Sequence, residues 1–179
     1  MPVFLSILRG INVSGQKKIL MSDLKQLYEE LDFKKVQTFI QSGNVVFESK
    51  SSTSLAKKIE QNIKQKYEFD VPVIIRTMDE MGTTIKNNPF LKTKGIELDK
   101  LHVTYLSEAP TVESIKKIKE YNFEPDTFHI IEKEIYIHCP NGYGRTKLTN
   151  TFFEKKLNIT ATTRNWKTSN ELLTIMKTY

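Results

Sequence analysis

The sequence holds a single cysteine, Cys139, so no internal disulfide can brace the fold. Arginine is almost as scarce: of 27 basic residues only Arg9, Arg76, Arg145 and Arg164 are arginine, and the rest are lysine. No apolar run approaches the roughly 18 residues that span a bilayer. The stretch Val3–Leu8 is short, is interrupted by Ser6 and follows no basic segment, so no secretory leader is expected. These absences lead to the expectation of a reducing cytosol and no membrane association. What is present is ordinary for a globular chain: 39% hydrophobic and 27% charged residues in a length of 179, enough for one domain or two small ones. The net charge of +6 and pI of 9.2 suggest polyanions. Yet the lysines are spread along helical stretches such as Lys57-Lys58, Lys116-Lys117-Lys119 and Lys155-Lys156, a pattern typical of solvated helix faces.

The periodicity gives an element order. Val3–Leu8 reads as a buried strand. Ser22 reads as an N-cap, with Leu24, Leu27, Tyr28 and Leu31 following at helical spacing. Val36–Gln41 and Asn44–Glu48 flank Ser42-Gly43, a hairpin signal that pairs Gln41 with Asn44 and Ile40 with Val45 and turns Val36, Thr38, Ile40, Val45 and Phe47 towards the helices. Leu55, Ile59, Ile63 and Tyr67 form a helical stripe, and Val71–Arg76 is a strand whose Pro72 favours a sheet edge. A helix over about 78–86 and a polar stretch follow, and then the pattern returns: strand 101–106, a helix with Val112, Ile115 and Ile118, a hairpin of 128–131 and 135–138, a helix over 149–157 and a strand over 159–163. A last helix over 165–177 carries Trp166, Leu172, Leu173 and Met176. The expected fold is α+β: two ferredoxin-like βαββαβ subdomains, 1–76 and 100–179, each with strand order 4-1-3-2. A connecting helix and loop, 77–99, joins them, and the C-terminal helix closes the second. The halves repeat in pattern, with no evident residue identity.

The runs Leu8-Arg9-Gly10-Ile11-Asn12-Val13, Ile40-Gln41-Ser42-Gly43-Asn44-Val45-Val46-Phe47, Asn88-Pro89-Phe90, Pro140-Asn141-Gly142-Tyr143-Gly144-Arg145 and Thr162-Thr163-Arg164-Asn165-Trp166 extend over almost the whole chain. With these runs in this order and spacing, the sequence resembles domain-of-unknown-function family 1697. Two positions depart from the family pattern: Ser14 stands where a second glycine precedes Gly15, and Asp32 where a glycine precedes Phe33. The resemblance implies a bacterial cytosolic protein of paired ferredoxin-like subdomains. It brings no agreed activity, cofactor or catalytic residue.

Chemistry must therefore be sought in the loops. In a ferredoxin-like sheet the first and second strands run parallel, which brings Arg9 and Asn12 beside Gln41 and Asn44 as one polar cluster. The third and fourth strands also run parallel, which brings Asn141–Lys147 to the edge that holds Arg164 and Asn165. Gly142 and Gly144 allow close backbone approach, Arg145 and Arg164 offer planar forks, and Asn141, Lys147 and Asn165 add donors, together a candidate anion site. Gly10–Lys17 falls short of a phosphate loop, because Gln16 occupies its lysine position and Ile19-Leu20-Met21 delay the helix. His138 and Cys139 alternate across a strand and cannot readily share a metal. Cys139 reads as a buried thiol, and no nucleophile–base set or carboxylate pair emerges. The strand 44–47 lacks the basic-aromatic pattern of RNA-binding sheets. The leading expectation is recognition of a phosphorylated or otherwise anionic small molecule, with no cofactor or metal and the reaction unassigned. The alternatives are a nucleic-acid-binding module using lysine faces and a protein-interaction module without a ligand.

Overall fold

The computed structural model describes all 179 residues. Its elements are β1 (Val3–Leu8), α1 (Met21–Glu30), β2 (Lys34–Phe39), β3 (Asn44–Glu48), α2 (Leu55–Tyr67), β4 (Val73–Thr77), α3 (Met78–Lys86), β5 (Leu101–Leu106), α4 (Val112–Ile118), β6 (Thr127–Ile131), β7 (Glu134–His138), α5 (Asn150–Leu157), β8 (Ala161–Asn165) and α6 (Trp166–Met176). Two antiparallel four-stranded sheets result, ordered β2-β3-β1-β4 and β6-β7-β5-β8. Each is the 4-1-3-2 order expected for a ferredoxin-like unit. The chain forms two compact units, Met1–Gly82 with Glu171–Tyr179, and Thr83–Asn170. These boundaries differ from those read in the sequence: the last nine residues associate with the first unit. There the Tyr179 hydroxyl donates to the carbonyls of Lys35 (2.6 Å) and Val46 (3.2 Å), where β2 bulges between Lys34 and Gln37.

In the first unit α1 and α2 cover one sheet face with Phe4, Leu8, Leu24, Tyr28, Phe47, Ile59 and Ile63. Tyr28 forms a buried 2.7 Å hydrogen bond with Ser6 in that layer, and burial raises its phenol well above the usual range. The opposite face carries Leu5, Ile7, Val46, Ile74 and Arg76, all buried too. Burial on both faces explains why β1 and β3 read as continuous apolar runs instead of alternating. α1 ends in a Schellman turn: Asp32 N–H donates to the Glu29 carbonyl and Phe33 N–H to that of Tyr28. The Tyr28 and Phe33 rings meet edge-on at 5.8 Å, the apolar contact that accompanies this motif. Asp32 adopts φ 66° and Ser14 φ 52°, so both departures from the family pattern fall at left-handed positions, where glycine carries no steric cost.

Three local expectations are corrected. The first hairpin closes through four residues, Ile40–Gly43, and pairs Phe39 with Asn44 and Thr38 with Val45. The slip of two residues preserves facing, so Phe47 lies in the core as expected, but Ile40 leaves the strand at φ 52° and is 46% exposed. The longer loop is held by Asn44, whose Nδ2 donates to the Phe39 carbonyl at 3.0 Å and to Ser42 Oγ at 3.2 Å. α1 begins at Met21 with Leu20, not Ser22, at its N-cap. The last strand runs to Asn165, because Arg164 pairs with Val103 and Asn165 with His102.

The second unit repeats the plan. α4 and α5 cover a layer containing Leu106, Ile118, Ile135, Ile137, Cys139, Phe153 and Ala161. The other face presents Leu101, Val103, Tyr105, Tyr136, Thr162 and Arg164, again buried. Here the repeat extends to individual residues. Arg76 and Arg164 each occupy the fourth of five positions in the last strand of their unit. Each points Nη1 at the carbonyl of the preceding residue, at 3.0 and 2.9 Å. The next residue then caps the following helix, Thr77 Oγ1 accepting from Glu80 N–H and Asn165 Oδ1 from Thr168 N–H. Trp166 follows, only 6% exposed.

Candidate functional site

The loop after β7 is shaped by its anchors. Gly142 N–H closes a turn onto the Cys139 carbonyl at 2.9 Å, and Gly142 holds φ 90°, a conformation that favours glycine. Tyr143 opens a single 3-10 turn and stacks on His102, with centroids 4.6 Å apart. Burial lowers the His102 imidazole from its ordinary value, so the stacked ring is neutral at physiological pH. Thr146 Oγ1 accepts from Leu148 N–H, and Leu148 is fully buried. With Tyr143 and Leu148 fixed, Asn141, Arg145 and Lys147 remain at the surface.

These residues line a cleft of about 180 Å³ with Asn122, Phe123, Glu124, Pro125 and Asp126 on the facing wall. That wall is equally ordered. Asn122 Oδ1 accepts from Glu124 N–H at 3.0 Å, Asp126 N–H donates to the Phe123 carbonyl, and Phe123 sits edge-on to Phe128 and Phe152. The guanidinium of Arg145 and the ammonium of Lys147 form no ion pair within the protein. Glu124 and Asp126 balance their charge within the cleft.

The structure brings together Asn141, Gly142, Arg145 and Lys147, with Gly144 in the turn between them. It sets Arg164 and Asn165 apart. Arg164 is 8% exposed on the sheet face opposite α4 and α5, where Nη1 also donates to Thr162 Oγ1 at 3.0 Å. Asn165 is taken up in capping α6. The reason is strand parity. β8 extends through both residues, so successive side chains face opposite ways. Glu124 and Asp126 were missed in the sequence, although the hairpin register contains them. Thr127 pairs with His138, so the residues just before β6 must lie beside those just after β7.

In the other cluster, most polar groups close loops. Asn12 accepts from Ile19 N–H at 2.9 Å and donates to the carbonyls of Ile19 and Gln41 at 3.0 and 2.8 Å. It therefore ties the end of β1 to the β2–β3 loop, the adjacency that the topology implied. Asn44 is occupied within its own hairpin. Arg9 is half-buried, and the Gln41 side chain is exposed. Residues 12–17 form a miniature hairpin bridged at Val13 and Gln16, with Ser14 and Gly15 both at positive φ, a type I′ geometry and not a phosphate cradle.

Cys139 is fully buried beside Ile137 and Leu148, and burial pushes its thiol up to about 11. A protonated, inaccessible thiol is no nucleophile. His138 lies on the opposite face, against Phe90 at 5.7 Å. No helix is long and apolar enough to cross a membrane.

The sequence profile of the family described as "Protein of unknown function (DUF1697)" matches residues 1–136. The chain belongs to that family. Its DUF1697 membership is accompanied by likeness to a solved structure, the conserved bacterial protein SP0830 from Streptococcus pneumoniae. The TM-score is 0.79 and the sequence identity 22%, with 98% of each chain covered. At that identity the likeness establishes the shared fold alone. No curated protein matches the sequence. The DUF1697 match ends before the Arg145 cleft is complete, so the family assignment carries no site there.

Proposed function

We propose that this protein, working in a bacterial cytosol, binds a small molecule through one anionic group, a phosphate monoester or carboxylate, held by Arg145, Lys147, Asn141 and the backbone at Gly142–Gly144. The observation that carries this reading is Arg145, an arginine in a lysine-rich chain, which borders a cleft without an internal ion pair. Its planar fork suits bidentate contact with such a group. A cleft of about 180 Å³ is below the ~300 Å³ at which drug-sized pockets begin. It fits a head group, with the rest of the ligand outside. Glu124 and Asp126 set the charge limit: the cleft suits a single anionic group and opposes a polyanion.

The test is a thermal-shift and calorimetric screen with inorganic phosphate, acetate, sugar phosphates and short oligonucleotides, repeated on Arg145→Ala and Arg145→Lys. Binding lost in both variants with an unchanged melting temperature supports the site. Normal binding by Arg145→Ala refutes it. Oligonucleotide affinity that falls steeply with salt and is indifferent to Arg145 would instead support the nucleic-acid alternative.

A further inference from the structure

The first unit holds a larger pocket, about 410 Å³, where the chain from β1 to α1 passes the β2–β3 loop. This volume lies within the ~300–1,000 Å³ usual for organic ligands. Its apolar wall is made by Ile19, Leu20 and the Tyr67 ring. Leu20 is 67% exposed and stands at the N-cap of α1, where no side chain caps the helix and a short polar residue would be usual. Lys18, Asp23 and Gln41 supply polar groups around that wall. Neither Lys18 nor Asp23 is held in an ion pair, and the nearest contact of the Asp23 carboxylate, Ser22 Oγ at 3.5 Å, is too long to satisfy it. The Tyr67 hydroxyl has no hydrogen-bond partner in the protein.

Charge decides the class of occupant. A simple anion would face Asp23, and a simple cation would face Lys18. A neutral apolar molecule would draw water from both charges and satisfy neither. We propose that this pocket binds a zwitterionic α-amino acid with an apolar side chain, its ammonium towards Asp23, its carboxylate towards Lys18 and the Gln41 amide, and its side chain against Ile19, Leu20 and Tyr67. This site lies in a different unit from the Arg145 cleft and does not depend on it.

The test uses the full chain and four probes: L-leucine, L-phenylalanine, N-acetyl-L-phenylalanine, which lacks the ammonium, and L-phenylalaninamide, which lacks the carboxylate. Calorimetry or ligand-observed NMR should give saturable binding of both amino acids, with each phenylalanine derivative weaker by roughly tenfold. Asp23→Asn should weaken phenylalanine but not its N-acetyl form, and Lys18→Met should weaken phenylalanine but not its amide. Lys18 is exposed and Asp23 partly exposed, so melting temperatures of the variants should match the parent and confirm folding. The proposal is overturned if neither amino acid saturates by about 10 mM. It is also overturned if the derivatives bind as well as phenylalanine, or if a variant weakens all four probes alike.

Discussion

Replacing Gly43 by alanine isolates a close backbone approach in the first unit. Gly43 lies in the β2–β3 loop at φ +87°, and its carbonyl accepts from Leu8 N–H at 2.8 Å. A Cβ there would stand 2.6 Å from Ile11 Cδ1, 2.9 Å from Leu8 Cβ and 3.0 Å from Ile11 Cγ1. The positive φ costs an alanine about 1–2 kcal/mol. The contacts add about 1–3 kcal/mol, because Ile11 and Leu8 are at most 1% exposed and cannot swing into solvent. A total near 3 kcal/mol corresponds to a melting temperature lower by about 9 °C in a chain of this size. Gly10→Ala is the control, since Gly10 has φ +75° but nothing within 4 Å of its Cβ position. It should lose only the conformational part. Urea unfolding followed by circular dichroism measures both. Ile11→Val, which deletes Cδ1, should be better tolerated beside Gly43→Ala than alone. Equal losses for Gly43→Ala and Gly10→Ala would refute the packing argument.

Asp32→Gly should raise stability by about 1 kcal/mol in the same assay, because Asp32 holds φ 66° at the close of the Schellman turn. Trp166→Ala should lower it by about 3 kcal/mol, since the indole is 6% exposed at the start of α6. Glu124→Gln and Asp126→Asn should each tighten phosphate binding severalfold in calorimetry, by removing like charge from the Arg145 cleft. Cys139 has a folded-state thiol raised to about 11 from an ordinary 9. Its contribution to stability is complete below pH 9 and lost as pH rises towards 11, so Cys139→Ala should flatten that part of the stability profile.

Strand order was legible because helical and strand periodicities alternate cleanly and right-handed crossovers leave few topologies. Hairpin register was not, because Asn44 stabilises a four-residue loop through contacts with Phe39 and Ser42 that no dipeptide signal encodes. Arg145 was legible as a candidate because scarcity and flanking glycines mark it. Arg164 was misplaced because two extra strand residues turned a supposed loop side chain towards a buried face. The acidic wall of the cleft was not legible for a different reason: the loop after β7 was read only against the end of β8, while Glu124 and Asp126 precede β6, whose Thr127 pairs with His138.

Arg76 with Thr77 and Arg164 with Asn165 have consequences for ancestry. A guanidinium anchored on its own strand, followed by a helix cap, is a compound feature that two unrelated halves would have little reason to share. A single ancestral gene encoding βαββαβα, duplicated and fused, would leave such a relic after surface residues had drifted beyond comparison. These two dipeptides are therefore the natural anchor for superimposing one half of the chain on the other.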